Sequence, residues 1–262
     1  MPRIALGVEY DGTDFVGWQP QDNGRSVALE LAAAVSAVAN ETVQVHGAGR
    51  TDAGVHATGQ VVHFDTSATR ASRGWLLGIN SNLPPDIAVR WVHVVPADFD
   101  ARRSAVARRY RYVIACAPTR PAVARRFVWW LRDALDCATM TQASLAWLGE
   151  HDFSAFRAAE CQSSTPMRRI HAIGIARRDE RVEIEVTANS FVYHMVRNLV
   201  GALAEIGRGR APAAWAAELL AGRDRTKGSP TAPAHGLTLV EVRYPPELGL
   251  PHCGDQPLGE RL

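Results

Sequence analysis

The sequence has few cysteines and no long apolar run. The cysteines form no CxxC pair, so neither a zinc ribbon nor a disulfide framework is indicated, and reduced thiols are expected. No stretch is long enough to span a bilayer, and the first residues alternate like a strand where a signal peptide would be apolar. These absences predict a cytoplasmic protein. The four cysteines are Cys116, Cys137, Cys161 and Cys253.

Net charge and lysine are also scarce. The formal charge is +2, the pI is near 8.5, and Lys227 is the only lysine. A polyanionic ligand would therefore have to be held by a local concentration of positive charge. One such concentration lies in the middle of the chain, and it is either a phosphate track or a solvated charged face. Its members are Arg102, Arg103, Arg108, Arg109, Arg111, Arg120, Arg125, Arg126 and Arg132.

The first half of the chain shows a mixed order of strands and helices. With 262 residues and 47% hydrophobic content, the chain can form a packed core in one large domain or two small ones. Apolar residues alternate from Ile4 to Tyr10 before the turn at Asp11-Gly12, and Ser26 is placed to cap an alanine-rich helix. The predicted order is β-α-β-β-α-β, with later strands at 42–45, 59–64 and 87–95 and a second helix around 75–79.

The second half repeats this order. The pattern predicts strands at 107–115, 168–176, 181–188 and 237–244, with helices at 140–148 and 190–206. The economical interpretation is an α+β fold of two tandem split-βαβ units, residues 1–104 and 105–262, with antiparallel sheets. Such a sheet leaves one face free, which suits RNA binding or the wall of a cleft. The usual RNA-recognition aromatic signature is missing, so the fold alone does not define the function.

The decapeptide GAGRTDAGVH, starting at Gly47, places Arg50 and Asp52 in an otherwise small and apolar run. Its glycines allow tight turns and leave room for a ligand. A carboxylate in such a loop can act as nucleophile or base, although a plain surface turn would have the same composition. A metal site is a third interpretation, but the spacing matches no common ligand pattern. Its ligands would be His46, Asp52, His56 and His63.

The segment GRTDAGVHATGQVVHF resembles the catalytic segment of the TruA-type tRNA pseudouridine synthases. Further blocks resemble the same family in the same order, so the resemblance covers nearly the whole chain up to Pro245. These blocks are YDGTDFVGWQPQ (10–21), ARRYRYVIA (107–115), HDFSAFR (151–157), CQSSTPMR (161–168) and NSFVYHMVRNLVG (189–201).

The resemblance implies an enzyme that converts uridines at positions 38, 39 and 40 of the tRNA anticodon stem and loop to pseudouridine, without a cofactor. It also implies a homodimer in which two RRM-like halves flank a basic catalytic cleft. Asp52 matches the catalytic aspartate. The reaction breaks the C1′–N1 bond and rejoins the base through C5, so the uridine must first leave its stack. Attack of Asp52 on C6 of the ring and assistance at C1′ of the ribose both remain open.

The same resemblance implies roles for residues outside Asp52. Arg50 and Arg197 are expected at the catalytic centre, where Arg197 would pair with Asp52. Arg197 lies opposite the apolar stripe of its predicted helix, so it either reaches a cleft or is simply solvated. Tyr110 is expected to stack on the flipped base and help remove the C5 proton, although a core tyrosine would suit its strand equally. Further residues expected to bind substrate are Gly54, His56, Gln60 and Arg108.

Three classes of function are compatible with the residues alone: an isomerase acting on tRNA, a non-catalytic RNA-binding protein, and a metal hydrolase using the histidines. A protein that only binds RNA has no need of a carboxylate in the loop. The set of Arg50, Asp52, Tyr110 and Arg197 therefore favours the isomerase, with tRNA as partner, no metal and no membrane.

Overall fold

The structure is a computed structural model that describes residues 1–251; Cys253 and the end of the C-terminal tail lie outside them. The helices are α1 (Val27–Ala39), α2 (Ser72–Asn82), α3 (Cys137–Ser144), α4 (Met195–Gly207) and α5 (Trp215–Gly222). The strands are β1 (Arg3–Tyr10), β2 (His46–Gly47), β3 (His56–Asp65), β4 (Ile87–Val95), β5 (Ala107–Cys116), β6 (Trp129–Leu131), β7 (Gly149–Asp152), β8 (Met167–Arg178), β9 (Arg181–Ala188) and β10 (Leu237–Arg243).

The chain divides into two units. Within the described residues, the first comprises Met1–Ala107 together with residues 238–251, and the second comprises Arg108–Leu237. By its contacts β10 belongs to the first unit, whereas the sequence pattern places it in the second half. The fold is mixed α+β with mostly antiparallel strand pairing, and no helix in the described residues is long and apolar enough to cross a membrane.

The first unit has the strand order β4-β1-β3-β10. The central strand β1 is antiparallel to both β3 and β4, while β10 runs parallel to β3. Gly59 allows this last pairing, because a side chain there would lie 2.3 Å from the carbonyl oxygen of Val240. Helix α1 begins where Ser26 accepts a hydrogen bond from the backbone of Leu29, as predicted, and it buries Leu31 among others.

The predicted strand at 42–45 is wrong. In this stretch the pairing with β3 begins at His46 and comprises His46–Gly47. The backbone N–H of Val43 donates to the hydroxyl of Ser36 on α1, so this donor is used outside the ladder. Alternating apolar residues therefore indicate burial here without indicating a strand.

The second unit has the strand order β5-β9-β8-β7, with β6 parallel to β5. The pattern misses β6, β7 and α5. Strand β7 pairs with β8 and reads GEHD, which has no apolar alternation to reveal it. Helix α4 begins five residues later than predicted, because His194 adopts φ = 62° in the left-handed region and residues 190–194 are not helical.

A buried ion-pair cluster lies on one face of β5 and β9. Glu185 contacts the guanidinium groups of Arg109 at 3.1 Å and Arg111 at 2.8 Å. The side chains of Arg109 and Glu185 are only 3% and 6% exposed. Desolvation of three charges is costly, and the cluster is stable only while the carboxylate is shared. Arg109 is thus buried and Arg111 half-buried against Glu185, so neither is an exposed member of the predicted arginine track.

Glu185→Gln is expected to lower the free energy of unfolding by about 3–5 kcal/mol, because the buried Arg109 and the half-buried Arg111 lose the negative charge that they share. Urea denaturation measures this loss. The matched control is Glu150→Gln, which breaks an ion pair with Arg169 whose side chains are 51% and 56% exposed and is expected to cost under about 1 kcal/mol. Equal losses in the two variants would contradict a structural role for the cluster.

Candidate active site

The loop that carries Asp52 is a tight turn between β2 and β3. The backbone N–H of Val55 donates to the carbonyl of Asp52 at 3.1 Å, and Gly54 adopts φ = 76°, where a side chain would be strained. Asp52 is half-buried at the start of this turn, while Arg50 is exposed. The turn thus presents a carboxylate from a defined backbone position.

A segment from the first block of the sequence braces this loop from the side. Gly17 forms an antiparallel bridge with Asp52, and the N–H of Trp18 donates to the carbonyl of Thr51 at 3.0 Å. Gly17 has φ = 117°, and a side chain there would lie 2.7 Å from the same carbonyl oxygen. The N–H of Gly54 completes the brace through the carbonyl of Phe15 at 3.4 Å. The block YDGTDFVGWQPQ therefore supports the loop that carries Asp52.

Buried polar side chains form the floor of the loop. The amide of Gln60 is 0% exposed, accepts from the N–H of Gly49 at 3.3 Å and donates to its carbonyl at 2.8 Å. The hydroxyls of Tyr10 and Thr51 are hydrogen-bonded at 2.8 Å, and burial raises the pKa of Tyr10 to about 12. Gln60, which the family resemblance implies as a substrate-binding residue, holds the backbone of the loop at Gly49.

The histidines near the loop are engaged in separate contacts. The Nδ1 atom of His56 accepts from the N–H of Gly12 at 3.0 Å and lies 3.1 Å from a carboxylate oxygen of Asp11. His63 stacks on His46, its Nδ1 atom accepts from the N–H of Ala101, and burial lowers its pKa. Within residues 1–251, no group of three His, Cys, Asp or Glu side chains is arranged to hold a metal.

The second unit brings Tyr110 and Arg108 of β5 together with the segment before α4. The ring of Tyr110 makes an edge contact with Phe191, at 5.1 Å between centroids, and Tyr110 is 8% exposed. Arg108 is also buried and donates to the carbonyl of Asn189 at 2.9 Å. Both side chains lie on the same face of the strand, as the alternation predicts.

Arg197 lies in the first turn of α4 and is half-buried. Its Nε donates to the carbonyl of Ala232 at 2.8 Å, and the N–H of Ala232 donates to the carbonyl of Arg197 at 3.2 Å. The neighbouring Pro233 carbonyl accepts the hydroxyl of Tyr112 at 2.7 Å. Burial raises the pKa of Tyr112, an effect that the charge of Arg197 opposes. Arg197 is therefore half-buried, and its Nε is held by the backbone of Ala232.

Sequence reasoning misses the residues that surround Arg197. Asn198 is 2% exposed and bonds to both Arg225 and Thr231. The block NSFVYHMVRNLVG contains Asn198 but gives it no role, and Arg225 and Thr231 lie outside every block. The signal that could find Asn198 is an amide next to Arg197 in a helix that is otherwise apolar. The segment from Arg225 to Ala232 has no comparable signal, because its contacts come from residues distant in sequence.

The arginines of the predicted track fall into two groups in the structure, one largely buried and one exposed. Arg109 and Arg111 contact Glu185, and Arg108 contacts a backbone carbonyl. The exposed members of the second unit lie in and just after the connection between β5 and β6: Arg120, Arg125, Arg126 and Arg132. Arg102 and Arg103 are exposed in the first unit.

Comparison with known proteins identifies the class. The family model described as tRNA pseudouridine synthase matches residues 7–102 and 143–245, which together exceed half of the chain. These stretches include the Asp52 loop of the first unit and Arg197 of the second. The chain belongs to the family of tRNA pseudouridine synthases, and it is therefore an isomerase that converts uridine to pseudouridine.

Two individual relatives are similar to this chain over nearly its whole length. "tRNA pseudouridine synthase A" of Histophilus somni strain 129Pt is 54% identical over 257 residues, which cover 98% of this chain and 94% of the relative. The protein of the same name from Klebsiella pneumoniae MGH 78578 is 55% identical over 249 residues, covering 95% and 92%. A solved structure described as "Crystal Structure of a Cbf5-Nop10-Gar1 Complex" has 10% identity to this chain and a TM-score of 0.39, and the match covers 90% of this chain and 48% of the other.

Proposed function

We propose that this enzyme converts uridines at positions 38, 39 and 40 of the tRNA anticodon stem and loop to pseudouridine, with Asp52 as the catalytic carboxylate and no cofactor. The observation that carries the proposal is the Asp52 turn, which is braced by Gly17 and Trp18 and supported from below by Gln60. A carboxylate held in this way is preorganised for attack on an inserted base.

The proposed reaction is an isomerisation and needs no oxidant or reductant. The C1′–N1 bond breaks, the uracil turns, a C1′–C5 bond forms, the proton on C5 is lost and N1 gains a proton. Asp52 adds to C6 or assists at C1′, and Tyr110 contacts the flipped base and helps to remove the C5 proton. Arg197 pairs with the carboxylate, since a guanidinium can hold both of its oxygens. Arg50, two residues before Asp52 and exposed, contributes positive charge where the uridine approaches Asp52.

The finer architecture is part of the same proposal. Two split-βαβ halves flank a basic cleft, the protein acts as a homodimer in the cytoplasm, and each tRNA is held mainly through its phosphates. Gln60 holds the loop at the backbone of Gly49, His56 accepts from the backbone of Gly12, and Gly54 gives the turn its shape. Arg108 holds the carbonyl of Asn189 and thereby the segment that contacts Tyr110.

Exposed arginines between β5 and β6 are the proposed contacts to tRNA phosphates. Arg125→Ala is expected to reduce the slope of log affinity against log salt by about 1, because one phosphate contact and its counterion release are lost. The matched control is Arg90→Ala, since Arg90 is paired with Glu9 at 3.3 Å and its charge is compensated locally. Filter binding across a salt series measures both slopes. Unchanged slopes for Arg125→Ala would place the phosphate contacts elsewhere.

Release of tritium from C5 of uracil tests the proposed reaction. Transcript tRNA labelled at C5 is incubated with the enzyme, with and without a chelator, and pseudouridine is mapped by position. Release that persists with chelator and maps to positions 38–40 supports the proposal. Release only without chelator would indicate metal chemistry, and no release would indicate an RNA-binding protein.

A further inference from the structure

The segment from Arg225 to Ala232 clasps Arg197 through a reciprocal pair of hydrogen bonds. Ala232 accepts from the Nε of Arg197 through its carbonyl and donates to the carbonyl of Arg197 through its N–H. The position of the guanidinium therefore depends on the position of Ala232. Ala232 itself is buried, at 1% exposed.

Asn198 holds this segment against α4. Its Oδ1 atom accepts from the hydroxyl of Thr231 at 2.7 Å and from the guanidinium of Arg225 at 3.0 Å. The guanidinium of Arg225 also donates to the hydroxyl of Thr231 at 3.1 Å, which closes a triangle of hydrogen bonds. The Nδ2 atom of Asn198 donates to the carbonyl of Phe156 at 2.8 Å, so the amide orientation is defined.

Gly201, about one turn beyond Arg197 in α4, lets the same segment pack closely against the helix. A side chain at Gly201 would lie 2.4 Å from the carbonyl oxygen of Pro230 and 2.7 Å from the hydroxyl of Ser229. The segment thus packs closely against Gly201 through Ser229 and Pro230, and it is hydrogen-bonded to Arg197 through Ala232. The hydrogen bonds of Asn198 lie between these two contacts.

The arginine in the triangle is unusual. Within the described residues, the hydrogen-bond partners of the Arg225 guanidinium are neutral oxygens, and desolvation lowers its pKa. A partly buried cation held only by neutral acceptors is costly to maintain, and a better-packed apolar residue would serve stability alone. The planar guanidinium nevertheless joins two acceptors that face each other, which fixes the geometry of the segment.

We propose that Asn198, Arg225 and Thr231 are positioning residues for catalysis, which act on Arg197 through the carbonyl of Ala232. Anchoring Nε fixes the plane of the Arg197 guanidinium, and this plane determines where its terminal nitrogens meet a carboxylate or a substrate oxygen. The inference rests on the proposed role of Arg197. It adds three residues, none of which touches the reacting atoms.

The test compares two hydroxyl deletions on the same segment. Thr231→Val removes the hydroxyl at constant shape and is expected to lower kcat roughly tenfold to a hundredfold, with KM for tRNA unchanged, because a small misplacement of a catalytic group is costly. Thr231→Ser restores the hydroxyl and is expected to recover most of the rate. The control is Thr226→Val, since the hydroxyl of Thr226 donates to Asp224 in an exposed turn. In an Arg197→Met background, Thr231→Val is expected to have no further effect.

A readout independent of catalysis separates this proposal from the role of Arg197 itself. The Nε–H signal of Arg197 in nitrogen-15 NMR is expected to exchange slowly in the native enzyme, in Thr226→Val and in Thr231→Ser, and rapidly in Thr231→Val. Arg225→Lys serves as the second variant if Thr231→Val does not fold. Slow exchange in Thr231→Val, or the same loss of kcat in the Arg197→Met background, would overturn the positioning role. Full turnover in Arg197→Met would instead refute the function proposed for Arg197. The exchange measurement would still show whether Thr231 keeps the Nε of Arg197 on the carbonyl of Ala232.

Discussion

Asp52→Asn is expected to abolish pseudouridine formation while tRNA affinity stays within about tenfold, or roughly 1.4 kcal/mol. The substitution keeps the shape of the side chain but removes the charge that both proposed routes require. The turn should survive, because its contacts to Gly17, Trp18 and Phe15 are made by backbone atoms. Tritium release and filter binding on one preparation measure the two quantities together.

Asp22→Asn is the matched control for this loss, since it makes the same chemical change at an exposed position just after the block YDGTDFVGWQPQ. Full activity is expected from it. Detectable pseudouridine from a clean Asp52→Asn preparation would remove Asp52 from the chemistry and leave its turn without a catalytic role.

Arg197→Met is expected to leave a folded protein whose turnover is reduced by about 100-fold to 1000-fold, the range seen when one preorganised electrostatic contact is removed. Met retains the apolar stem that packs in the first turn of α4, so the fold should tolerate the change. The lost groups are the Nε donor to Ala232 and the terminal nitrogens proposed to meet Asp52. Single-turnover rates and circular dichroism measure activity and folding.

Arg197→Lys is expected to recover only part of the rate. Its single ammonium cannot satisfy the carbonyl of Ala232 and grip two carboxylate oxygens in the same geometry. Arg210→Met makes the same truncation just beyond the other end of α4, at a side chain that is 57% exposed, and should be close to wild type. A folded Arg197→Met enzyme with normal turnover would show that the pairing with Asp52 is wrong.

Local sequence was sufficient for several elements. Alternation located β1, β4 and β9, and Ser26 marked the start of α1, because these features depend on neighbouring residues and on the burial of one face. The glycines of GAGRTDAGVH indicated a tight turn, and Gly54 does adopt the left-handed backbone. The decapeptide also pointed to the family that the comparisons establish.

Other features could be decided only by the tertiary structure. Nothing local distinguishes Arg109, buried on Glu185, from Arg125, exposed in a connection, since both sit in arginine-rich runs. The shared carboxylate comes from a strand some 75 residues away, so sequence spacing carries no trace of the pair. Likewise, the assignment of Gln60 to the floor of the loop required the positions of Gly49 and Tyr10.

The same division applies to the proposed catalytic residues. Sequence by itself determined that Asp52 lies in a glycine-rich turn and that the chain carries the family's motifs. Tertiary structure alone decided what supports Asp52 and Arg197: Gly17 and Trp18 for the turn, and Ala232 for the guanidinium. The physical reason is that a turn is encoded by the φ and ψ preferences of its own residues, whereas hydrogen bonds between distant segments exist only after the core has packed.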